Sequence, residues 1–456
     1  MRQPLIIAIA TLLSFTGGLV ADGAKKPSDA KVSFKRDIAP IFAKHCVGCH
    51  NPDKAEGGYD MSTFAAIMKG GKKGKEVLPG EPYESRLVLM MYGDETPEMP
   101  QEADLLPEKV VAKVDRWVKQ GAAFDGPDPT MSLSRLLEPS DDLANLDLSK
   151  PVATTALALR PDGKQLAVGG LHGITLWEVP SGKYLGRFPT DGERIFSLEY
   201  SADGKQLLHS GGTPGRVGEV ILWDVAKRKL IKRLHDGDDV IFATALRPDG
   251  KEVAVGETTG KLRLFRTADG KQLREVKPHN DWILDVAYSP DGKFLLTGAR
   301  DKTAQLWDAK KGELLSVYSD QGEGVFGVGF SGDGKQAFST GINRRLHTWD
   351  ATKGGKQVRA ESAGGEIYSL ATTADGKLVF TSGSDRLVKS WDTASGKAQK
   401  TFKGHATPVY SVAVSRDGKT LASGDAKGEV RLWDASTAKE TLKFVAVPPK
   451  EEKAEK

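Results

Sequence analysis

The stretch Ser289-Pro290-Asp291-Gly292-Lys293-Phe294-Leu295-Leu296-Thr297-Gly298-Ala299-Arg300-Asp301-Lys302-Thr303-Ala304-Gln305-Leu306-Trp307-Asp308 decides the fold of the larger part of this chain. Its Asp291-Gly292 pair suits a tight hairpin turn between two strands, and Trp307-Asp308 marks a fixed place further along. Both landmarks recur. Trp307, Trp349, Trp391 and Trp433 stand 42 residues apart, Phe265 takes the same place 42 before Trp307, Trp223 another 42 before that, and Trp177 a further 46 upstream. The Asp-Gly turns keep the same count, with Gly163, Gly204, Gly250, Gly292, Gly334, Gly376 and Gly418. Repeats of about 40 to 45 residues are the signature of propeller blades, each a unit that cannot bury its faces without its neighbours. Seven landmarks predict an all-β, seven-bladed propeller over residues 151–447. The extra length in blade 2 falls in Gly212-Thr213-Pro214-Gly215-Arg216-Val217-Gly218 and predicts a longer loop between its second and third strands.

A chain of 456 residues reads as two or more domains. Upstream of the repeats stands Cys46-Val47-Gly48-Cys49-His50, the C-x-x-C-H sequence of covalent haem attachment. Two thiols at this spacing reach the two vinyl groups of one haem, and the adjoining histidine is placed under the iron as proximal ligand. A structural disulfide, a thioredoxin-like redox pair and half of a zinc site are the other readings of C-x-x-C. No second C-x-x-C exists to complete a four-thiolate zinc site, because Cys46 and Cys49 are the only cysteines. The expected cofactor is one covalent haem c on Cys46 and Cys49, with His50 bound to the metal.

Phe34, Ile38, Ile41 and Phe42 recur at helical spacing and run directly into that motif. A second helix is predicted from Pro107, with Val110, Val114, Trp117 and Val118 on one face and Gly121 as its stop. Two helices flanking a haem loop suit a small all-α domain over residues 30–125. A six-coordinate iron needs a sixth ligand, and methionine is the usual choice at raised potential. The candidates are Met61, Met68, Met90, Met91 and Met99. Met90 and Met91 lie in the apolar run Leu87 to Tyr92, where core packing accounts for them. Met99 sits instead in the polar, Pro-rich loop Asp94 to Pro100, which gives its side chain no helical face to join, and it is the expected metal ligand. His45 precedes Cys46 and is expected at the surface.

Covalent haem attachment in bacteria takes place outside the cytoplasm. Arg2, the apolar run Leu5 to Val20 and the small residues near Ala21 to Ala24 predict an export signal over residues 1–24, either cleaved or retained as an anchor, and hence a periplasmic or otherwise exported protein. Basic and acidic residues number 65 and 61, and no basic face interleaves with aromatics, so neither nucleic acid nor a membrane surface beyond the signal is an expected partner. Residues 126–150, with Pro127, Pro129 and Pro139, read as a linker, and residues 448–456 as a solvated charged tail.

Longer patterns carry two resemblances. Phe34-Lys35-Arg36-Asp37-Ile38-Ala39-Pro40-Ile41-Phe42 before the haem motif, Gly57-Gly58-Tyr59-Asp60-Met61 after it, Val77-Leu78-Pro79-Gly80-Glu81-Pro82, Ser85-Arg86-Leu87, Met99-Pro100 and Trp117-Val118-Lys119-Gln120-Gly121-Ala122 together resemble the planctomycete-type cytochrome c domain. The resemblance implies Cys46 and Cys49 as attachment points and His50 and Met99 as axial ligands. That family's pattern usually continues after Met99-Pro100 with a second proline and a Lys-Gly turn, where this chain has Gln101-Glu102-Ala103-Asp104.

Trp-Asp at 223, 307, 349, 391 and 433 resembles the WD-repeat β-propellers. His279, Thr297, Asp301 and Trp307 fall where that family builds a buried, structural hydrogen-bond network. His405 repeats the start of it in blade 7, but Lys427 stands in the aspartate's place, so the network there is expected to be incomplete. The resemblance also implies a partner-binding face, on which Arg216, Arg300, Arg344, Arg345, Arg386 and Lys427 fall in loops and Trp282 follows a link between blades.

These readings converge on an exported c-type cytochrome that transfers electrons to or from an unidentified redox partner protein, with the propeller as a protein-docking scaffold. The alternatives are a redox enzyme with an active site in the propeller, and a haem-based redox or gas sensor with a displaceable Met99.

Overall fold

The computed structural model describes residues 31–52, 54–101, 103–126, 128–137, 150–352 and 355–448. The expected export signal, the linker positions 127 and 138–149, and the tail after residue 448 lie outside the described residues. The chain divides into two compact units, Met1–Leu137 and Glu138–Lys456.

In the first unit a π-helical turn, Phe34–Ile38, runs into α1 (Ala39–His45). The remaining helices are α2 (Phe64–Lys69), α3 (Arg86–Tyr92), α4 (Glu108–Lys119) and α5 (Leu133–Leu136). Ser33 starts the first turn by accepting the Arg36 N–H, and Pro40 fits the first turn of α1, where a missing donor costs nothing. Glu108 in the first turn of α4 and Arg116 and Lys119 in the last complement the helix dipole. The helix buries Val111, Val114, Trp117 and Val118; Val111 rather than Val110 completes the core-facing stripe. Trp117 packs against Phe34 and Phe42 at ring-centroid distances of 5.4 and 6.1 Å, and its indole N–H donates to the Ala123 carbonyl. This aromatic core holds α1 in place directly before the haem motif.

The sequence predicts two helices here. The others span only four to seven residues, too short for an amphipathic period to show. The unit also reaches beyond residue 125. Leu133 and Leu136 of α5 are buried in the same core, and the Leu133 N–H donates to the Ser62 carbonyl, so the stretch up to Leu137 belongs to the first unit and not to the linker.

The second unit is a propeller of seven sheets, each of four consecutive antiparallel strands, from Leu157–Leu159 in blade 1 to Glu440–Val445 in blade 7. Each Asp-Gly turn works the same way. The aspartate carboxylate accepts the N–H two residues on, as Asp291 does from Lys293 at 3.1 Å, while its glycine takes φ between 64° and 71°. Among the described residues, no strand is exchanged between the first and last blades. Other contacts close the ring: Trp177 lies 4.7 Å from Phe444, the Ser411 hydroxyl donates to the Thr154 carbonyl at 2.7 Å, and the Thr154 N–H donates to the Asp425 carbonyl at 3.0 Å. In blade 2 the extra residues lengthen the hairpin. Gln206–Thr213 and Val217–Asp224 stay paired to Thr213 opposite Val217, which leaves only a short turn at Pro214 to Arg216 in place of the expected longer loop.

The expected network forms in blade 4. His279 Nε2 meets the Thr297 hydroxyl at 2.7 Å, His279 Nδ1 meets Asp301 at 2.9 Å, and Trp307 Nε1 donates to Thr297. Burial pushes the Asp301 carboxyl up, but hydrogen bonds from His279 and Thr303 outweigh it and hold the group at about 2. Blade 7 corrects the sequence reading. Its network is complete, because Asp425, two residues before Lys427, faces His405 Nδ1 at 3.3 Å, while Ser423 bonds His405 Nε2 at 2.7 Å and Trp433 Nε1 at 2.8 Å.

Two carboxylates on inner strands tie neighbouring blades together. Glu199 accepts the Leu246 N–H at 2.7 Å, and Asp285 accepts the Val328 N–H at 2.8 Å and the Val286 N–H at 2.9 Å. Burial pushes both up to about 7. An ordinary carboxylate titrates near pH 4, so the folded chain keeps protons that the unfolded chain has released. The resulting cost is full above pH 7 and vanishes as the pH falls toward 4. Glu199→Gln and Asp285→Asn should therefore raise the propeller's Tm by a few degrees at pH 8 and leave it unchanged at pH 4 in thermal melts. An equal shift at both pH values would contradict this.

Candidate cofactor site

The haem motif wraps tightly around the end of α1. The Cys46 N–H donates to the Phe42 carbonyl, and the Cys46 carbonyl accepts from His50 at 2.9 Å and from Cys49 at 3.2 Å. The motif forms one wall of a narrow cleft that encloses about 450 Å³ of empty space, open solvent included. Motif and helix end contribute His45, Cys46 and His50; α3 contributes Leu87, Met90 and Met91; the loop after α3 contributes Met99 and Pro100. The other walls are also largely apolar, with Tyr59, Met61 and Leu106 among them.

His50 is held by its far nitrogen. Nδ1 lies 3.1 Å from the Tyr59 carbonyl oxygen, which can only accept, so the ring proton sits on Nδ1. Nε2 is left as a lone-pair donor with no protein partner among the described residues. That tautomer and that backbone restraint are what a metal-ligating histidine requires. Tyr59 is fixed in turn by its hydroxyl on the Ile67 carbonyl, and the Met61 N–H closes the segment onto the His50 carbonyl at 2.8 Å. Cys46 and Cys49 are both free thiols, not a disulfide. Two thiols, an oriented imidazole, thioether sulfurs and apolar walls fit a haem held by two thioethers.

The two thiols differ in surroundings. Burial, and secondarily the neighbouring Cys49, push Cys46 up to about 12, whereas Cys49 is exposed. Thiolate, not thiol, reacts with alkylating agents. In protein matured without haem, iodoacetamide at pH 8 should label Cys49 well before Cys46, as peptide mass mapping would show; equal rates would contradict the half-buried setting of Cys46.

Four of the five candidate methionines, Met61, Met90, Met91 and Met99, line the cleft; Met68 does not. Met61 and Met91 are also packed into the core at 1% and 2% exposure, while Met99 is half-buried in its loop, with its N–H on the Met90 carbonyl at 2.9 Å. His45, expected at the surface, is half-buried and also lines the cleft. Among the described residues, one further cluster brings metal-ligating groups together, His405, Asp425 and Glu429. Its atoms are already engaged: His405 with Ser423 and Asp425, Glu429 with Arg431 at 2.6 Å.

The propeller carries a second surface that single motifs did not reveal. Phe196, Phe242, Phe326, Tyr368 and Tyr410 each follow a buried apolar residue at or within two residues of the start of an inner strand, Ile195, Ile241, Val325, Ile367 and Val409. Trp282 joins them from blade 4. Phe196–Phe242 and Phe242–Trp282 lie at 4.7 and 5.4 Å, Phe326–Tyr368 and Tyr368–Tyr410 at 6.1 and 5.3 Å, and all six rings remain partly exposed. The signal was present in the repeat register, as an aromatic one place after the same apolar position in five blades. Arg300 lies over the Trp282 ring at 4.9 Å, and Arg216, Arg344, Arg345, Arg386 and Lys427 are all exposed. Lys302, Arg344 and Arg386 occupy turn tips at φ of 73°, 64° and 66°, where blades 3 and 7 place Gly260 and Gly428.

Residues 46–102 match the family described as Planctomycete cytochrome C, and residues 270–308, 355–392 and 396–434 match the WD domain, G-beta repeat. The chain is also similar to the U3 small nucleolar RNA-associated protein 18 homologs of Homo sapiens and Mus musculus, 29% and 30% identical over 107 residues. That match covers 23% of this chain and 18% of each relative, so the chain spans less than a fifth of their length.

Proposed function

For a chain that joins a planctomycete-type cytochrome c domain to a WD-repeat propeller, we propose the function of an exported electron carrier that docks its partners through the propeller. The observation that carries the proposal is the cleft lined by Cys46 and His50, with the His50 Nδ1 proton held on the Tyr59 carbonyl and Nε2 left available. Cys46 and Cys49 would form the two thioethers, and His50 and Met99 would ligate the iron. When bound, such a haem supplies reversible one-electron chemistry at its iron. The chain's own part is to fix the ligands and to keep the cleft apolar, which favours the less charged state of the centre.

Export follows from the same chemistry, since attachment outside the cytoplasm requires it, and residues 1–24 have the composition of a signal. No helix among the described residues is long and apolar enough to cross a membrane. The docking reading is supported by the half-exposed aromatic rings and the exposed cations beside them, since aromatic residues and arginine are enriched at protein interfaces. A spectroelectrochemical titration of protein matured in an export-competent host tests the carrier reading. One haem spectrum titrating with one-electron behaviour is the expected result, and a chain that shows no haem spectrum after such maturation would overturn it.

A further inference from the structure

A cation at the start of a helix opposes the helix dipole, and α3 begins with Arg86. Its first turn holds no acidic residue, and Ser85, at the N-cap, sends its hydroxyl to the Glu81 carbonyl and not to the helix. The arginine is held there by two other partners. Arg86 NH1 meets both carboxylate oxygens of the buried Glu76, at 3.0 and 3.1 Å, and Arg86 Nε donates to Glu95 at 2.7 Å. Glu95 belongs to the loop that carries Met99.

The rest of that loop is fastened to the same helix. Gly93, at φ 82°, turns the chain out of α3; the Asp94 N–H donates to the Leu89 carbonyl and the Met99 N–H to the Met90 carbonyl, both at 2.9 Å. The helix therefore acts as a splint. Its C-terminal carbonyls hold both ends of the loop, and Arg86 at its N-terminus pulls back Glu95 in between.

We propose that Arg86, braced by Glu76, is a positioning residue that keeps Met99 on the metal by pinning Glu95, and so governs how readily an outside ligand displaces that methionine. The proposal rests on the reading of Met99 as sixth ligand. Removing Arg86 would strand the buried Glu76, so the cleaner variant is Glu95→Gln, which loosens the loop and keeps the Arg86–Glu76 pair. Glu98→Gln is the control: it removes the same charge beside Met99 but breaks no hydrogen bond or ion pair among the described residues.

The experiment follows carbon monoxide association with the ferrous haem protein, together with the weak far-red sulfur-to-iron band of the ferric form. The wild-type protein and Glu98→Gln should show the band and slow association. Glu95→Gln should bind carbon monoxide at least tenfold faster, and Glu95→Asp, which restores the carboxylate, should recover most of the slow rate. Equal rates in Glu95→Gln and Glu98→Gln, with the band intact in the wild type, would overturn the pin alone. Absence of the band in the wild type would overturn Met99 as ligand.

Discussion

Met99→Ala should abolish the sulfur-to-iron charge-transfer band of the ferric protein, lower its reduction potential and open the iron to carbon monoxide, while leaving the haem attached. The expectation rests on placement. Met61 and Met91 are committed to the core, Met68 is away from the cleft, and Met99 alone sits on a polar loop whose backbone is fastened to α3. A thioether ligand raises the potential of a histidine-ligated haem, so its loss lowers it. Met90 is the informative comparison, because it lines the same cleft and its carbonyl receives the Met99 N–H. Absorption spectra and potentiometry of the two variants decide the matter. Loss of the band in Met90→Ala, with Met99→Ala silent, would assign the ligand to Met90, whereas a wild-type protein without the band would point to a ligand other than methionine, such as His45.

The second large effect is expected in blade 7. Asp425 is 2% exposed and accepts the Lys427 and Glu429 N–H groups, both at 2.9 Å, as well as facing His405. Asp425→Ala would leave the buried His405 and the part-buried Lys427 and Glu429 N–H groups without that acceptor, next to the seam where blade 7 meets blade 1. Each orphaned group costs about 1–3 kcal/mol, so the propeller should lose about 2–4 kcal/mol. Lys427→Ala, at the position where the repeat register places the network aspartate, should change stability by less than about 0.5 kcal/mol. Calorimetry of the propeller transition checks both. A neutral Asp425→Ala would mean that His405 is satisfied without it.

The same blade shows where sequence and structure part. The repeat register located every blade because each Asp-Gly turn uses one local device, a carboxylate accepting the N–H two residues on, and such a device leaves a fixed trace. The His405 network left a weaker trace. Its carboxylate reaches His405 from the end of a strand instead of from the following turn, and only three-dimensional proximity equates the two positions. Leu133 and Leu136 were hidden for a related reason. A four-residue helix has no period to read, and a proline-rich segment around it suggested a linker. In the first unit, the spacing of Cys46, Cys49 and His50 was legible as a motif, since it is the spacing that haem attachment would need. The orientation of His50 was not, since it depends on the Tyr59 carbonyl, and neither was the Arg86 brace, which joins three segments separated by turns.

The central claim is that Cys46 and Cys49 carry one haem covalently. Acidified acetone extraction of protein matured in an export-competent host tests it most directly, because acid and solvent release any haem held only by His50 and Met99. The haem should stay with the precipitated polypeptide at one per chain, and the double variant Cys46→Ala, Cys49→Ala should surrender or never acquire it. Free haem in the acetone phase from the wild-type protein, or a Cys46–Cys49 disulfide on a haem-free chain, would contradict it.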